Sequence, residues 1–363
     1  MQKISGIQIL FLMTTFDVGM SLMAMISPTV QKAHQDAWMS IGIATGASMV
    51  IAYIGIRLSR LFPNQSFASC LKKVFTPFLG VPLVTLYAVQ WIVVTGLAMR
   101  QVVDFTMPAL QLYDTPFLVV LVCLAVLSAF AGIMGGIESL ARCSEVITPL
   151  VLAALFFVTL MAFRLRTLSN LLPIVQPHMM QSVISGALPA TSFLAQSTIL
   201  MVIYPYLTDK KSQMAGVWGT GVAGLILMLT TLEVSATFGP TLPAQMWNPF
   251  FTLARYISIA DFVQNVDAII VVLWFFSAFI RVALYLWVSA QVTTDLIGVN
   301  LRVSLVAISL AALIISAIPP SIIASTIEYP DRIVQPFVLP VLNIGVPALG
   351  LLVGIIIKRA RAL

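Results

Sequence analysis

The sequence predicts an all-α integral membrane protein. Its ten transmembrane helices form a five-plus-five inverted repeat in which helices 1 and 6 are broken. Three observations lead there. First, 60% of the 363 residues are hydrophobic and only 9% are charged, against about 25% charged in a soluble domain. Nineteen bases and thirteen acids cannot coat a chain of this size with a solvated surface, so a soluble enzyme is excluded. Second, the apolar residues fall in runs of about 20, the length a helix needs to cross a bilayer, and not in the weak ten-residue alternations of a barrel. Third, the first and sixth runs carry polar residues at their middles, where the broken helices of inverted-repeat transporters lie.

Taken in order, the spans are 5–27, 38–58, 79–101, 116–134, 144–163, 183–206, 214–238, 263–290, 302–318 and 336–357. The stretch 4–26 has one lysine before it and no small-x-small cleavage site, so it reads as the first span and not as a removable signal. After the second span, FPNQSFASCLKKVFTPFLG reads as a short amphipathic helix on the cytoplasmic surface. Residues 164–182 form an interfacial linker, and Pro189 with its Ser, Thr and Gln neighbours interrupts the sixth span. Before the eighth span, NPFFTLARYISIADF reads as an outer interfacial helix or a folded surface loop. The chain is thus one polytopic domain, 1–363, with halves 1–163 and 183–357. Halves of five spans have opposite topology by geometry, although no internal self-match is visible. With the N-terminus in the cytoplasm, twelve of the 19 Lys and Arg residues flank the inner side, five the outer side, and two lie within or at the edge of spans. That asymmetry orients the protein with both termini cytoplasmic.

The few charges inside spans carry the functional information. Asp17 lies mid-span in TTFDVGMSL. A central carboxylate costs about 2.5–3.5 kcal/mol on insertion scales, so it must face the interior. It is either a ligand or proton site at a helix break or half of a structural ion pair. Gly19 beside it either permits unwound backbone or packs two helices closely. Arg281 sits deep in the eighth span, shares a face with Asp267 and Trp274 at seven-residue spacing, and precedes Tyr285 by one turn. Such a fixed cation can bind a ligand carboxylate, neutralise Asp17 or stand where a coupling sodium would; always protonated, it cannot carry a proton. Gln196 offers donor and acceptor at the second break. Tyr87, Gln90, Trp91 and Val94 share one face of the third span, lining a pocket or packing a core. Glu233, near the outer end of the seventh span, either joins a proton path or is structural. Glu138, Arg142 and Glu145 form a helical charge set that closes or gates the cytoplasmic side.

Catalysis has no supporting constellation: GxxxxGK[ST], HExxH, GxSxG and CxxC are all missing from the sequence. Cys70, Cys123 and Cys143 form no spaced pair, which predicts neither a disulfide framework nor a metal site. His34 and His178 fall in loops, where a solvated or interfacial role is expected. No cofactor is implied. The net charge of +6 sits in the span flanks and points to lipid rather than nucleic acid.

Several motifs, in order and at matching spacing, carry a family resemblance. They are ISGIQILFLMTTFDVG at the start, GIESLARCSEVITPL into the fifth span, NLLPI after it, YPYLTDKK closing the sixth, and NPFFTLARYISIADFVQNVDAIIVVLWFFSAFIRVALYL into the eighth. The chain resembles the endospore germination permeases, the B subunits of spore germinant receptors, within the amino acid–polyamine–organocation superfamily. The resemblance implies a leucine-transporter-like fold, the spore inner membrane, and partnership with an A subunit and a lipoprotein C subunit. It implies that a small nutrient germinant, such as an amino acid, sugar or nucleoside, binds near Gly19, Gln90, Val94, Phe193 to Gln196, Arg281 and Tyr285. Two departures stand out: many relatives have a glutamate near Gln196, and Asp17 replaces a position that is often small, polar or acidic. With Arg281, Asp17 makes this pocket unusually charged. Two competing functions are a proton-coupled amino acid permease, in which Asp17 or Glu233 titrates, and an ion-conducting subunit of the receptor complex.

Overall fold

Chain entry into the membrane is set by a capping box: Ser5 N donates to Gln8 Oε1 at 2.8 Å, and Gln8 N donates to Ser5 Oγ at 3.2 Å. In the computed structural model, which describes residues 3–63, 65–112, 114–174, 180–257 and 266–360, this cap opens α1 (Gly6–Ala24). After it come α2 (Ile26–Ala33), α3 (Ala37–Leu61), α4 (Phe67–Val74), α5 (Thr76–Ala109), α6 (Phe117–Met134) and α7 (Gly136–Ala162). The sixth span is α8 (Met180–Leu194), a 3-10 stretch Ala195–Ile199, α9 (Leu200–Ile203) and a 3-10 turn Tyr204–Tyr206. Then follow α10 (Ala215–Phe238), α11 (Leu242–Gln245), α12 (Pro249–Tyr256), α13 (Val266–Ile297) and α14 (Leu301–Ser316). The last span begins as π-helical turns at Ala324–Glu328 and Pro330–Gly345 and ends as α15 (Val346–Ala360). Among the described residues, nine helical stretches are long and apolar enough to cross a membrane, and α14 is a tenth, shorter apolar helix. The protein is a multi-pass membrane protein.

α1 is the buried axis, packed by α10, α13 and α7, while α3 packs on α10 and α8 and α5 on α13 and α14. A Cβ on Gly219 of α10 would lie 2.6 Å from the Leu10 carbonyl; only glycine lets these two helices approach so closely. One face gathers both chain ends: Ile4 N donates to Tyr206 O, Ser59 Oγ to Met201 O, and Gly354 lies against Leu61.

The expected mid-membrane break in the first span is corrected. α1 runs without interruption through Asp17 and Gly19, and the interruption falls at Met25. Polar groups did not unwind it because its carbonyls can accept a second donor, and α13 supplies donors at the right spacing. The sixth span is interrupted where Pro189 and the polar run predicted. Pro189 removes one backbone donor, and the Thr191 and Ser192 hydroxyls donate to the carbonyls of Ala187 and Leu188, which weakens the ladder.

Other boundaries moved for electrostatic reasons. The third span continues to Ala109 because Arg100 is paired with Asp104 at 2.8 Å and lies over the Phe117 ring. The fifth begins at Gly136, its charges on a partly exposed face. The last begins at Ala324, far ahead of residue 336, because Arg332 and Glu328 pair at 3.4 Å and wide π turns accommodate Pro330, Pro336 and Pro340. The Tyr87 hydroxyl donates to the Leu342 carbonyl and pins this irregular stretch to α5. The amphipathic helix after the second span is α4, capped by Ser66; burial pushes its Cys70 thiol up to about 12, although Lys73 opposes the shift. The segment before the eighth span is helical as α12, with Phe250, Phe251, Leu253 and Ala254 buried, and residues 258–265 lie outside the described residues. His178, and the side chain of Asp267, lie outside the described residues.

Candidate ligand-binding site

Five elements meet around a central cavity of about 50 Å³: α1, α5, the interrupted sixth span, α13 and the start of the last span. Five of the eight residues expected to bind ligand are in its wall: Val94, Phe193, Gln196, Arg281 and Tyr285.

Arg281 organises the site. Its side chain is only 3% exposed. Nη1 donates to Phe16 O at 2.8 Å and to Ser21 Oγ at 3.3 Å; Nη2 donates to Phe193 O at 3.4 Å and to Tyr285 Oη at 3.3 Å. The guanidinium therefore ties the main chain of α1 to that of the sixth span. It also lies 4.6 Å from the centroid of the Phe16 ring, a cation–π contact that delocalised Arg makes well when desolvated. The rest of the α13 face repeats the theme: Trp274 Nε1 donates to Gly19 O at 2.6 Å and Ser277 Oγ to Thr15 O at 3.0 Å. Trp274 and Arg281 share this face, as their seven-residue spacing predicted.

Three expected residues stand outside the cavity wall. Asp17 is fully buried, and the polar groups facing it are the Arg281 guanidinium and the Thr220 hydroxyl of α10. It makes no ion pair with Arg281 within 4.0 Å among the described residues. A Cβ on Gly19 would lie 2.9 Å from Ser277 Oγ and 3.0 Å from the Ser277 carbonyl carbon, so this glycine packs α1 against α13. Gln90 reaches the site indirectly: its Nε2 donates to Gln196 Oε1 at 3.4 Å, while its other side lines a groove between α5 and the last span.

The remaining charges lie elsewhere. Glu138 and Arg142 form an exposed pair at 2.8 Å. Glu145 Oε2 accepts from Gln8 Nε2 at 3.2 Å, joining α7 to the start of α1. Glu233 is buried and ion-paired with Arg166, whose Nε donates to Oε1 at 2.7 Å. No group of three or more His, Cys, Asp or Glu able to hold a metal occurs among the described residues.

Sequence reasoning missed Met20, Gln101, Ser325 and Tyr329, which also line the cavity. For Gln101 the signal was present: Gln90, Val94, Leu97 and Gln101 follow one another at helical spacing along one face of α5. Ser325 and Tyr329 sit in a charged, proline-containing stretch that reads as a loop.

The profile of the family described as "Spore germination protein" matches residues 3–323. The chain belongs to the spore germination protein family. Spore germination protein KB of Bacillus subtilis (strain 168) is 25% identical over 308 residues, 81% of this chain and 79% of that protein. Spore germination protein XB of Bacillus anthracis is 25% identical over 259 residues, 71% of this chain and 72% of that protein. Among solved structures, MhsT in complex with L-phenylalanine is similar with a TM-score of 0.69 at 13% identity, covering 98% of this chain and 88% of that one. The fold is thus that of the leucine-transporter-like proteins, and this germination permease is a germinant-receptor subunit built on a transporter architecture.

Proposed function

We propose that the central cavity holds a small germinant bearing a carboxylate, and that Arg281 is its charge partner. The observation that carries this reading is the guanidinium itself: it is buried, it lines the cavity, and no carboxylate of the described residues pairs with it. Its Nη2 contacts, at 3.4 and 3.3 Å, are long for a charged donor and can be exchanged for stronger bonds to a carboxylate. Because Arg281 also bridges α1 and the sixth span, a ligand that recruits Nη2 loosens one side of that bridge. Its differential affinity for the two arrangements then shifts the conformational equilibrium. The cavity is small, which suits a small amino acid. Gln196 and Tyr285 supply neutral polar contacts, the Asp17 charge acts on the arginine, and Gly19 seats α1 against α13.

Within this proposal the protein acts as a non-enzymatic receptor, not as a catalyst. We place it in the spore inner membrane with both ends cytoplasmic, as the Lys and Arg distribution supports, working with A-type and C-type subunits. Residues 1–163 and 183–357 are the two halves that rock against one another. The deciding experiment is a germinant screen of spores that carry this receptor alone, with wild type compared to Arg281→Ala. Loss of the response to amino acids, with the protein still in the membrane, is expected; an unchanged dose–response removes Arg281 from the pocket.

A second reading, proton-coupled uptake, is favoured by one observation: Asp17 is a fully buried carboxylate with no ion pair within 4.0 Å among the described residues. Uptake of labelled amino acid into vesicles, with and without a pH gradient, tests it. Accumulation driven by the gradient and lost in Asp17→Asn is required.

A further inference from the structure

The outward side of α3 changes character along its length. At its end, on the face that gathers the chain ends, Arg57 and Arg60 sit one turn apart, both exposed, and neither belongs to an ion pair of the described residues. The Arg57 guanidinium lies 5.7 Å from the centroid of the Tyr53 ring. From Tyr53 back through Val50 to Ile43 the exposed large side chains are aromatic or apolar. That length of helix rises about 15 Å, half of the roughly 30 Å of bilayer hydrocarbon and so the depth of one leaflet. The stripe dips at its middle, where a Cβ on Gly46 would meet nothing within 4 Å. α10 forms the other side of the seam. A Cβ on Gly224 would run into Thr45, and one on Gly221 would lie 2.9 Å from Met49 Sδ, so the two helices run antiparallel in close contact. This register brings Trp218, one turn before Gly221 and 58% exposed, level with Tyr53. Trp and Tyr mark the level at which hydrocarbon gives way to headgroups. The two arginines, a turn or two beyond Tyr53, therefore stand at headgroup depth. Neither 43–60 of α3 nor 218–229 of α10 contains an Asp or Glu.

We propose that the seam between α3 and α10 is a binding site for an anionic phospholipid. Arg57 and Arg60 take its phosphate, which the guanidinium fork fits in a bidentate manner. Tyr53 and Trp218 frame the glycerol level, and one acyl chain lies along the stripe over Gly46. A zwitterionic phospholipid is disfavoured: its ammonium group would face the same two cations, with no carboxylate on either helix face to receive it. Because α3 belongs to the first five spans and α10 to the last five, a lipid seated here bridges the two sets.

The test places the full-length protein in nanodiscs holding equal amounts of dioleoyl-phosphatidylglycerol and dioleoyl-phosphatidylcholine, which share their acyl chains. Native mass spectrometry then counts the lipids that stay bound when the protein is released. Phosphatidylglycerol is retained over phosphatidylcholine by about fivefold or more, the gain of at least one basic side chain at the headgroup. The double variant Arg57→Gln, Arg60→Gln brings that ratio to within about twofold of unity. Arg302→Gln removes an exposed cation of α14, which packs on α5, α6 and α13. It leaves the ratio as in wild type, which separates a built site from the general basic character of the face. Gly46→Leu fills the dip, leaves the charges in place and lowers phosphatidylglycerol retention by about threefold, the loss of one acyl-chain contact. All four positions are exposed, and a thermal melt checks that each variant is folded. Equal retention of the two lipids by wild type overturns the proposal. So does a wild-type ratio in the double variant, an equal fall in Arg302→Gln, or undiminished retention in Gly46→Leu.

Discussion

The first and sixth spans present the same problem to the membrane and solve it differently. Each places polar residues at mid-depth, and each sends a main-chain carbonyl, Phe16 O or Phe193 O, to Arg281. α1 nonetheless stays helical, while the sixth span drops into 3-10 turns at Ala195–Ile199. The difference lies in Pro189 and in how many of the donors are the span's own. Along α1 most of the extra donors are side chains of neighbouring helices, Trp274, Ser277 and Arg281 of α13 and Thr148 of α7, beside its own Thr14, which donates to Leu10 O. They add bonds to carbonyls that keep their helical partners, since a carbonyl has two lone pairs. Along the sixth span the donors are its own Thr191, Ser192 and Gln196, and Pro189 removes one backbone N–H outright. A helix tolerates a single back-bonding hydroxyl, as α1 does at Thr14; three back-bonding side chains within six positions, next to a proline, interrupt the sixth span.

The largest expected effect tests the element both spans share. Arg281→Ala removes charge-assisted bonds worth roughly 1.5–3 kcal/mol each and raises the half-maximal germinant concentration by about 100-fold or more; spore dose–response curves read this directly. Arg281→Lys keeps the charge and loses the fork geometry, so it rescues only in part. Next comes Gly19→Val. Its side chain would collide with the backbone of α13 and cost about 1–3 kcal/mol through overpacking, seen as a lower melting temperature of the purified protein. A wild-type melt would mean that α1 and α13 are less tightly seated than described.

Trp274→Phe is milder. It removes the donor to Gly19 O and costs about 0.5–1.5 kcal/mol, and hydrogen exchange should speed up in the second half of α1 while the sixth span is unaffected. Equal acceleration in both spans would contradict the contrast drawn above. The smallest effect is Gln90→Leu: the bond to Gln196 is long at 3.4 Å, so germinant sensitivity shifts by about threefold or less on the scale of a weak hydrogen bond. A larger loss would make Gln90 part of the site itself.

Much of this was legible in the sequence, and the rest was hidden for definite reasons. Apolar run length located the spans because lipid permits few alternatives. Arg281 and Gln196 were conspicuous because a polar group at mid-membrane needs an explanation. Asp17 was equally conspicuous, yet it faces Thr220 and not the cavity, because a carboxylate in a span says that it points inward without saying toward which neighbour. Ser325 and Tyr329 were invisible because Glu328, Pro330, Asp331 and Arg332 mimic a loop; only the i,i+4 pairing and the wide turns reveal a helix there.

The connection after the fifth span has a mechanical meaning. Arg166 grips Glu233, Thr167 N donates to the Ala236 carbonyl at 3.0 Å, and Asn170 Nδ2 donates to the same carbonyl at 3.0 Å. The start of the connection between α7 and α8 is therefore bolted to the end of α10. It behaves as a strut and not as slack cord: a tilt of α7 is delivered to α10 as torque.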